Sequence, residues 1–287
     1  MKKTLLLCVL PLLAFALAPE ELPESISIAA GKTVLRLDKA KRWYINRIDY
    51  KNRNIGLDSP GAHYGTVFYY AETKGFCGSG HAETGFVEEV KDITILQDGQ
   101  EITADELKNG PVMGRKIQLE KHSIVRDFSI VYRFTLWNDI LDESIEVTAA
   151  KDVNLKISYH FMHPWRKEFD EMIAIDTNDQ ELHYVFKSDG KFPLHSKNHP
   201  IAAWYDRESE TGVVTVLLPN GKNQKNISRT VWDRDVYRKD YLVDYSNSVF
   251  PGGTTASYDV RTVFFNSPVS EWKQKATSLA GSLLKSQ

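Results

Sequence analysis

From residue 25 onward, apolar and polar positions alternate with period two in one segment after another. The segments are 25–29, 33–37, 43–50, 66–70, 86–96, 115–124, 129–137, 143–148, 154–162, 201–205, 212–218 and 257–265. A strand turns successive side chains to opposite faces, so this period predicts strands with one buried and one wet face. The segments are rich in Val, Ile, Tyr, Phe and Thr, whose branched or planar side chains pack well on a pleated surface. Turn residues punctuate them at Asp98-Gly99, Asn109-Gly110-Pro111, Asp189-Gly190, Asn220-Gly221 and Pro251-Gly252-Gly253. Parallel strands covered on both faces would read as continuous apolar runs, so antiparallel pairing is expected. The prediction is all-β: one large antiparallel two-sheet β-sandwich over residues 25–266.

Helical spacing occurs twice. Residues 103–108 suit a single turn. After Pro268 the apolar positions Trp272, Ala276, Leu279, Ala280, Leu283 and Leu284 form one helical stripe, with Ser267 suited to the cap and Pro268 to the first helical position. A C-terminal helix over 267–287, packed on the outside of the sandwich, is expected.

The N-terminus has a different pattern. Lys2 and Lys3 precede an apolar run over residues 5–13, followed by Ala14, Ala16 and Ala18. This is the layout of a secretory signal, and the run falls short of the ~20 apolar residues of a spanning helix. Pro19 would hinder cleavage after Ala18, so the expected signal is 1–16, with 1–18 the other possibility. The mature chain is then expected outside the cytoplasm, periplasmic or secreted. Leu7 before Cys8 argues against a lipid anchor. Removing the signal leaves Cys77 as the one cysteine, which excludes an intramolecular disulfide and suits a small buried residue. The formal charge is -2, with acidic and basic residues interspersed, which is unlike a nucleic-acid-binding surface. No later segment is long and apolar enough to span a membrane as a helix.

Three separated stretches carry a family resemblance. The first is the opening, with Gly31 and then Ile45-Asn46-Arg47-Ile48-Asp49-Tyr50. The middle runs from Val131-Tyr132-Arg133-Phe134 through Leu141-Asp142-Glu143-Ser144 to Tyr159-His160-Phe161. The last is Phe250-Pro251-Gly252-Gly253 and the strand after it. In this order they resemble galactose-mutarotase-like proteins. The resemblance implies a supersandwich fold and a sugar ligand held in a cleft near the His-aromatic segment. It is not to a true aldose 1-epimerase: Tyr159 stands before His160 where that pattern has asparagine, and no C-terminal acid can be assigned as the base. The same sandwich serves in polysaccharide lyases and glycosidase accessory domains, and fold alone does not choose among them.

Three constellations could carry chemistry. In 159–166, strict alternation puts Tyr159, Phe161 and His163 on one face and His160 and Met162 on the other. Pro164 is expected to end the ladder, so that His163, Trp165 and Arg166 emerge at the strand's mouth. A histidine there could move a proton near neutral pH, an arginine could hold a carboxylate, and an indole could stack on a sugar ring. The second set is His63 and Tyr64, then the glycine-rich run from Gly75 to Gly85 with His81 and Glu83. Two apart in an extended segment, His81 and Glu83 project to one side and could share a proton. No Gly-Lys-Ser/Thr follows, so this is not a phosphate loop, and no metal or cofactor is expected. The third set is Trp204, Tyr205 and Arg207, then Trp232, Arg234, Tyr237 and Arg238, suited to a glycan or to ordinary packing.

The expected function is carbohydrate processing by proton transfer. A lyase acting on a uronic-acid glycan would use Arg166 to neutralise the carboxylate, His160 or His163 as base and Tyr64 as acid. An epimerase would pair a histidine with Glu83. His63, Arg166, Trp165, Trp204, Tyr205 and Arg234 are the candidate substrate-binding residues. The competing class is a non-catalytic glycan-binding or envelope protein with the same aromatics.

Overall fold

The computed structural model describes residues 16–57 and 63–285. All but the last residue of the expected signal, and Gly61, two residues ahead of His63, lie outside the described residues. The chain forms two large sheets facing each other across one core, almost wholly antiparallel. Among the described residues the exceptions are a short parallel pairing of Ser25–Ala30 with Val112–Met113 and an isolated parallel bridge between Gly78 and Val87.

The smaller sheet follows the alternation closely. Glu89–Gln97, Lys116–Val125, Phe128–Trp137, Ile140–Ala149, Thr255–Asn266, Thr211–Leu217 and Ile201–Asp206 lie side by side, and Glu171–Ile175 and Glu181–Val185 extend one edge. In Phe128–Trp137 and Ile140–Ala149 burial alternates residue by residue along the strand.

The larger sheet was harder to foresee. Its path runs from Leu194–Ser196 through Ser228–Asp233, Tyr237–Asp244, Val153–Arg166, Arg53–Leu57, Ile45–Tyr50 and Thr33–Asp38 to Ser25–Ala30. Val67–Tyr70 also pairs with Val153–Arg166. Tyr237–Asp244 showed no alternation in the sequence because charges occupy both phases, yet every residue of it is buried. Its inward charges are matched: Asp240 by Arg229 at 3.3 Å, Arg238 by Asp233 at 2.9 Å. Buried charges persist only when paired in this way.

Fully buried Trp165 and Trp204 meet across the core with ring centroids 5.9 Å apart. Burying a large apolar side chain contributes roughly 1.5–3 kcal/mol. The C-terminal helix Trp272–Lys285 lies on the outer face of the smaller sheet and buries Trp272, Ala276, Ala280 and Leu283 against Tyr205, Val214, Val216 and Phe265. It starts later than the sequence pattern suggests. Glu271 and Trp272 backbone N–H groups donate to the Pro268 carbonyl, so Pro268 opens a turn that leads into the helix rather than standing at its first position.

Candidate functional site

A single backbone irregularity decides where the histidines of 159–166 point. Between His160 and His163 the register against Tyr237–Asp244 shifts by one residue, and Phe161 takes a left-handed φ of 47°. This β-bulge inverts the phase of everything after it. His160 and His163 therefore both face the core, while Tyr159 and Met162 pack on the outer face. Strict alternation had separated the two histidines; the bulge corrects that. Nor does Pro164 end the ladder: it sits opposite Lys239, and pairing continues to Arg166.

The inward groups form a closed interior. His160 is wholly buried; its Nε2 meets Ser158 Oγ at 3.0 Å, and its ring stacks on Tyr258 with centroids 4.2 Å apart. Burial drives its pKa down to about 3, so it is a neutral core imidazole. His163 Nε2 lies 2.7 Å from Glu143 Oε2, and Tyr132 donates its hydroxyl to Glu143 Oε1 at 2.7 Å. Tyr64 is also buried, lining with Tyr44, Tyr132, Glu143 and His163 a cavity of about 10 Å3, room for one water. Beside it, fully buried Lys121 pairs with Glu88 at 2.9 Å and lies 3.2 Å from the centre of the Tyr44 ring. Trp165 and Trp204 belong to the same interior, and Tyr205 lies flat against Trp272 beneath the helix. Of the sequence candidates, His160, His163, Tyr64, Trp165, Trp204 and Tyr205 are thus placed in packing positions away from solvent.

A different group assembles on the outer face. His63 and His81 meet edge to face with centroids 4.7 Å apart. Phe76 lies 5.6 Å from His81 and 5.1 Å from Tyr159, and Tyr159 lies 4.9 Å from Tyr241. The glycines make this approach possible. A Cβ on Gly80 would stand 2.2 Å from His63 Cβ, and Gly78, at φ 145°, would meet the Thr66 carbonyl at 2.4 Å. A glycine-rich run suits positive φ or close backbone approach, and here Gly78 and Gly85 take positive φ while Gly78 and Gly80 let the 63–65 and 75–85 segments touch.

Within this group His81 Nδ1 stands 3.1 Å from Glu83 Oε1, and Glu83 Oε2 accepts the Phe76 backbone N–H at 3.0 Å. Burial, reinforced by the positive charge of Lys239, holds the His81 pKa below the usual imidazole value despite Glu83. Burial pushes Glu83 up, but hydrogen bonds from its own and the Phe76 backbone and from His81 outweigh it and leave the pKa lowered. The neutral ring therefore faces an ionised carboxylate. Because a carboxylate only accepts, the proton sits on Nδ1, and Nε2 keeps its lone pair. That is a histidine oriented to act as a base.

The rim of the same face carries the remaining candidates. Arg166 is half-buried, 3.3 Å from Glu168, near Tyr237. Arg234 lies over the Trp232 ring at 4.7 Å. The sequence reading did not single out Lys239, Tyr241 or Phe76 as site residues. A signal for Phe76 was available, since it stands inside the glycine-rich run; Lys239 and Tyr241 sit in the strand whose alternation was masked. Among the described residues no group of three or more His, Cys, Asp or Glu side chains could hold a metal ion. Cys77 is buried, its thiol pushed up to about 12 chiefly by burial, which leaves it inert.

No protein-family model matches the chain, and no curated protein sequence does. Solved structures do. The Slr1438 protein of Synechocystis sp. superposes with a TM-score of 0.53 at 10% identity, over 85% of this chain and 96% of that one. A galactose mutarotase-like protein from Clostridium acetobutylicum gives 0.51 at 11%, over 85% and 95%. An alpha-N-acetylgalactosaminidase from Bifidobacterium bifidum gives 0.56 at 9%, over 90% of this chain but only 38% of that enzyme. At these identities the likeness concerns architecture, and the architecture of this chain is the galactose-mutarotase-like β-sandwich.

Proposed function

We propose that the chain is an exported carbohydrate-processing enzyme in which His81, oriented by Glu83, exchanges a proton with a sugar bound on the outer face of the larger sheet. The observation that carries this reading is the His81–Glu83 pair at 3.1 Å, set among Phe76, Tyr159 and Tyr241. Aromatic faces suit the C–H surface of a pyranose, and polar groups at their edge suit its hydroxyls. A neutral imidazole with a free Nε2 lone pair at pH 7 is matched to general-base work. Lys239, whose charge acts on His81 and whose Nζ lies 5.4 Å from the Tyr241 ring centre, would stabilise negative charge developing on a deprotonated oxygen or on a carbon next to a carboxylate. The first case is epimerase-type chemistry, the second lyase-type. The fold's carbohydrate-acting neighbours support the sugar but do not choose between the two.

Two assays on the purified mature protein test the proposal. One is polarimetric mutarotation of simple aldoses; the other is ultraviolet absorbance of unsaturated products from uronic-acid polysaccharides. Activity in either that disappears in His81→Asn supports the reading. Silence of the wild type in both, with retention on immobilised glycan, would instead favour the non-catalytic binding module, which the aromatic face would serve equally well.

A further inference from the structure

The outer face continues beyond His81 to an exposed aromatic stack that the proposed chemistry does not use. Phe192 is 54% exposed, unusual for so large an apolar side chain, and its ring lies nearly parallel to Trp232, at 13° and 5.2 Å between centroids. On Trp232 also rests the Arg234 guanidinium, 4.7 Å from the ring centre. A lone exposed aromatic is ordinary. This one is built in place. Trp232 Nε1 donates to the Gly190 carbonyl at 2.9 Å, and the Asp233 backbone N–H donates to the Lys191 carbonyl at 2.8 Å. The wholly buried Asp233 carboxylate accepts the backbone N–H groups of Lys187 and Ser188 at 2.8 and 3.0 Å and pairs with Arg238. The 187–192 segment that presents Phe192 is therefore tied to the sheet beneath it, and its ring is held ready at little entropic cost.

The stack also lies on the right face. Trp232 packs against the same outer cluster of Val67, Met162, Tyr241 and Val243 as Phe76 and Tyr159 do. It sits opposite Lys239 in the ladder, with Tyr237–Asp244 between its strand and Val153–Arg166. Tyr159 lies opposite Val243 and Trp232 opposite Lys239, so two strand spacings across the sheet and four residues along it put Tyr159 and Trp232 roughly 16 Å apart, with Phe192 stacked on Trp232. That span exceeds one sugar ring. We infer that the ligand is an oligo- or polysaccharide and that Phe192, backed by Trp232 and Arg234, is the stacking platform for a sugar unit remote from His81. This rests on the carbohydrate reading above, and it names the substrate as a chain rather than a free monosaccharide.

Affinity electrophoresis of the mature protein through gels containing polygalacturonate, alginate, galactan or xylan tests it. Phe192 is exposed, so Phe192→Ala should fold, and Phe192→Tyr keeps the ring. Retardation in at least one gel is expected for the wild type and for Phe192→Tyr, with Phe192→Ala binding about fivefold more weakly. If Phe192→Ala is retarded as strongly as the wild type, the platform is overturned while the sugar reading stands. If the wild type migrates freely in all four gels, the inference of a glycan chain is overturned. Retention that depends on Phe192, in a protein with no turnover, would keep the platform and remove the catalytic role of His81.

Discussion

The two faces of Val153–Arg166 place imidazoles in opposite surroundings. Inward, His160 and His163 are sealed between the sheets, one against Ser158 and Tyr258, the other against Glu143. Outward, Tyr159 joins Phe76 and His81 in a half-buried layer that water reaches, over the buried Tyr241. The same residue types do different work because burial sets the chemistry. In the core His160 is forced neutral and its neighbours are fixed, so it specifies packing. An imidazole at the surface of the sheet, beside a carboxylate that is 52% exposed, keeps a lone pair within reach of a ligand.

The widest separation between the two faces is expected in activity. His81→Asn should lower turnover of whichever aldose or uronate substrate the wild type accepts by about 10²–10⁴-fold, with little change in melting temperature. Glu83→Gln should follow it with a smaller loss. Steady-state rates beside thermal melts decide the matter; a His81 variant that melts early and keeps its rate would reverse the roles assigned to the two faces.

Much of this architecture was legible in the pattern of residues, and the limits are local. Alternation in 129–137 and 143–148 is unbroken, and those strands occur where expected. The bulge at Phe161 was not legible: a left-handed phenylalanine leaves no mark in composition, and it alone reverses where His163 and Trp165 point. Tyr237–Asp244 was hidden for a different reason. Its charges find partners only in distant segments, Arg229 for Asp240 and Asp233 for Arg238. The His81–Glu83 pair could be read because both residues lie in one short segment. Its proximity to Lys239 could not, because that depends on tertiary packing.

The interior face should answer in stability. Glu143→Ala leaves the Tyr132 hydroxyl and His163 Nε2 without their buried partner. Each unsatisfied group costs about 1–3 kcal/mol, so for the two groups urea denaturation should report a loss of about 2–6 kcal/mol. Glu83→Ala, at the half-exposed outer pair, should cost less than about 1 kcal/mol. Equal losses at the two sites would remove the contrast between them.

Acid should reach the interior through His160. Its folded pKa of about 3 lies below the ordinary 6.5, so between those values the unfolded chain binds a proton that the folded chain refuses. Stability from this group is complete above pH 6.5 and is lost as the pH falls toward 3. In His160→Gln, unfolding free energies from denaturant titrations should fall less steeply across that window than in the wild type.

A smaller effect of the same kind should appear at alkaline pH. Burial, only partly offset by Glu88, lowers the Lys121 pKa from 10.5 to about 8. Between about pH 8 and 10 the unfolded chain therefore holds a proton that the folded chain has begun to release, and stability gains with rising pH, by at most about 1.4 kcal/mol per pH unit. Above pH 10 the sign reverses. Tyr44, Tyr132 and Tyr258 have their pKa values raised well above 10, mainly by burial, so the unfolded chain loses phenolic protons that the folded chain keeps. Unfolding free energy should thus rise from pH 8, peak near pH 10 and then decline. In the double variant Lys121→Met, Glu88→Gln, which removes both charges together, the rise should vanish and the decline remain. A rise that survives in the double variant would assign the alkaline limb to groups outside the Lys121–Glu88 pair.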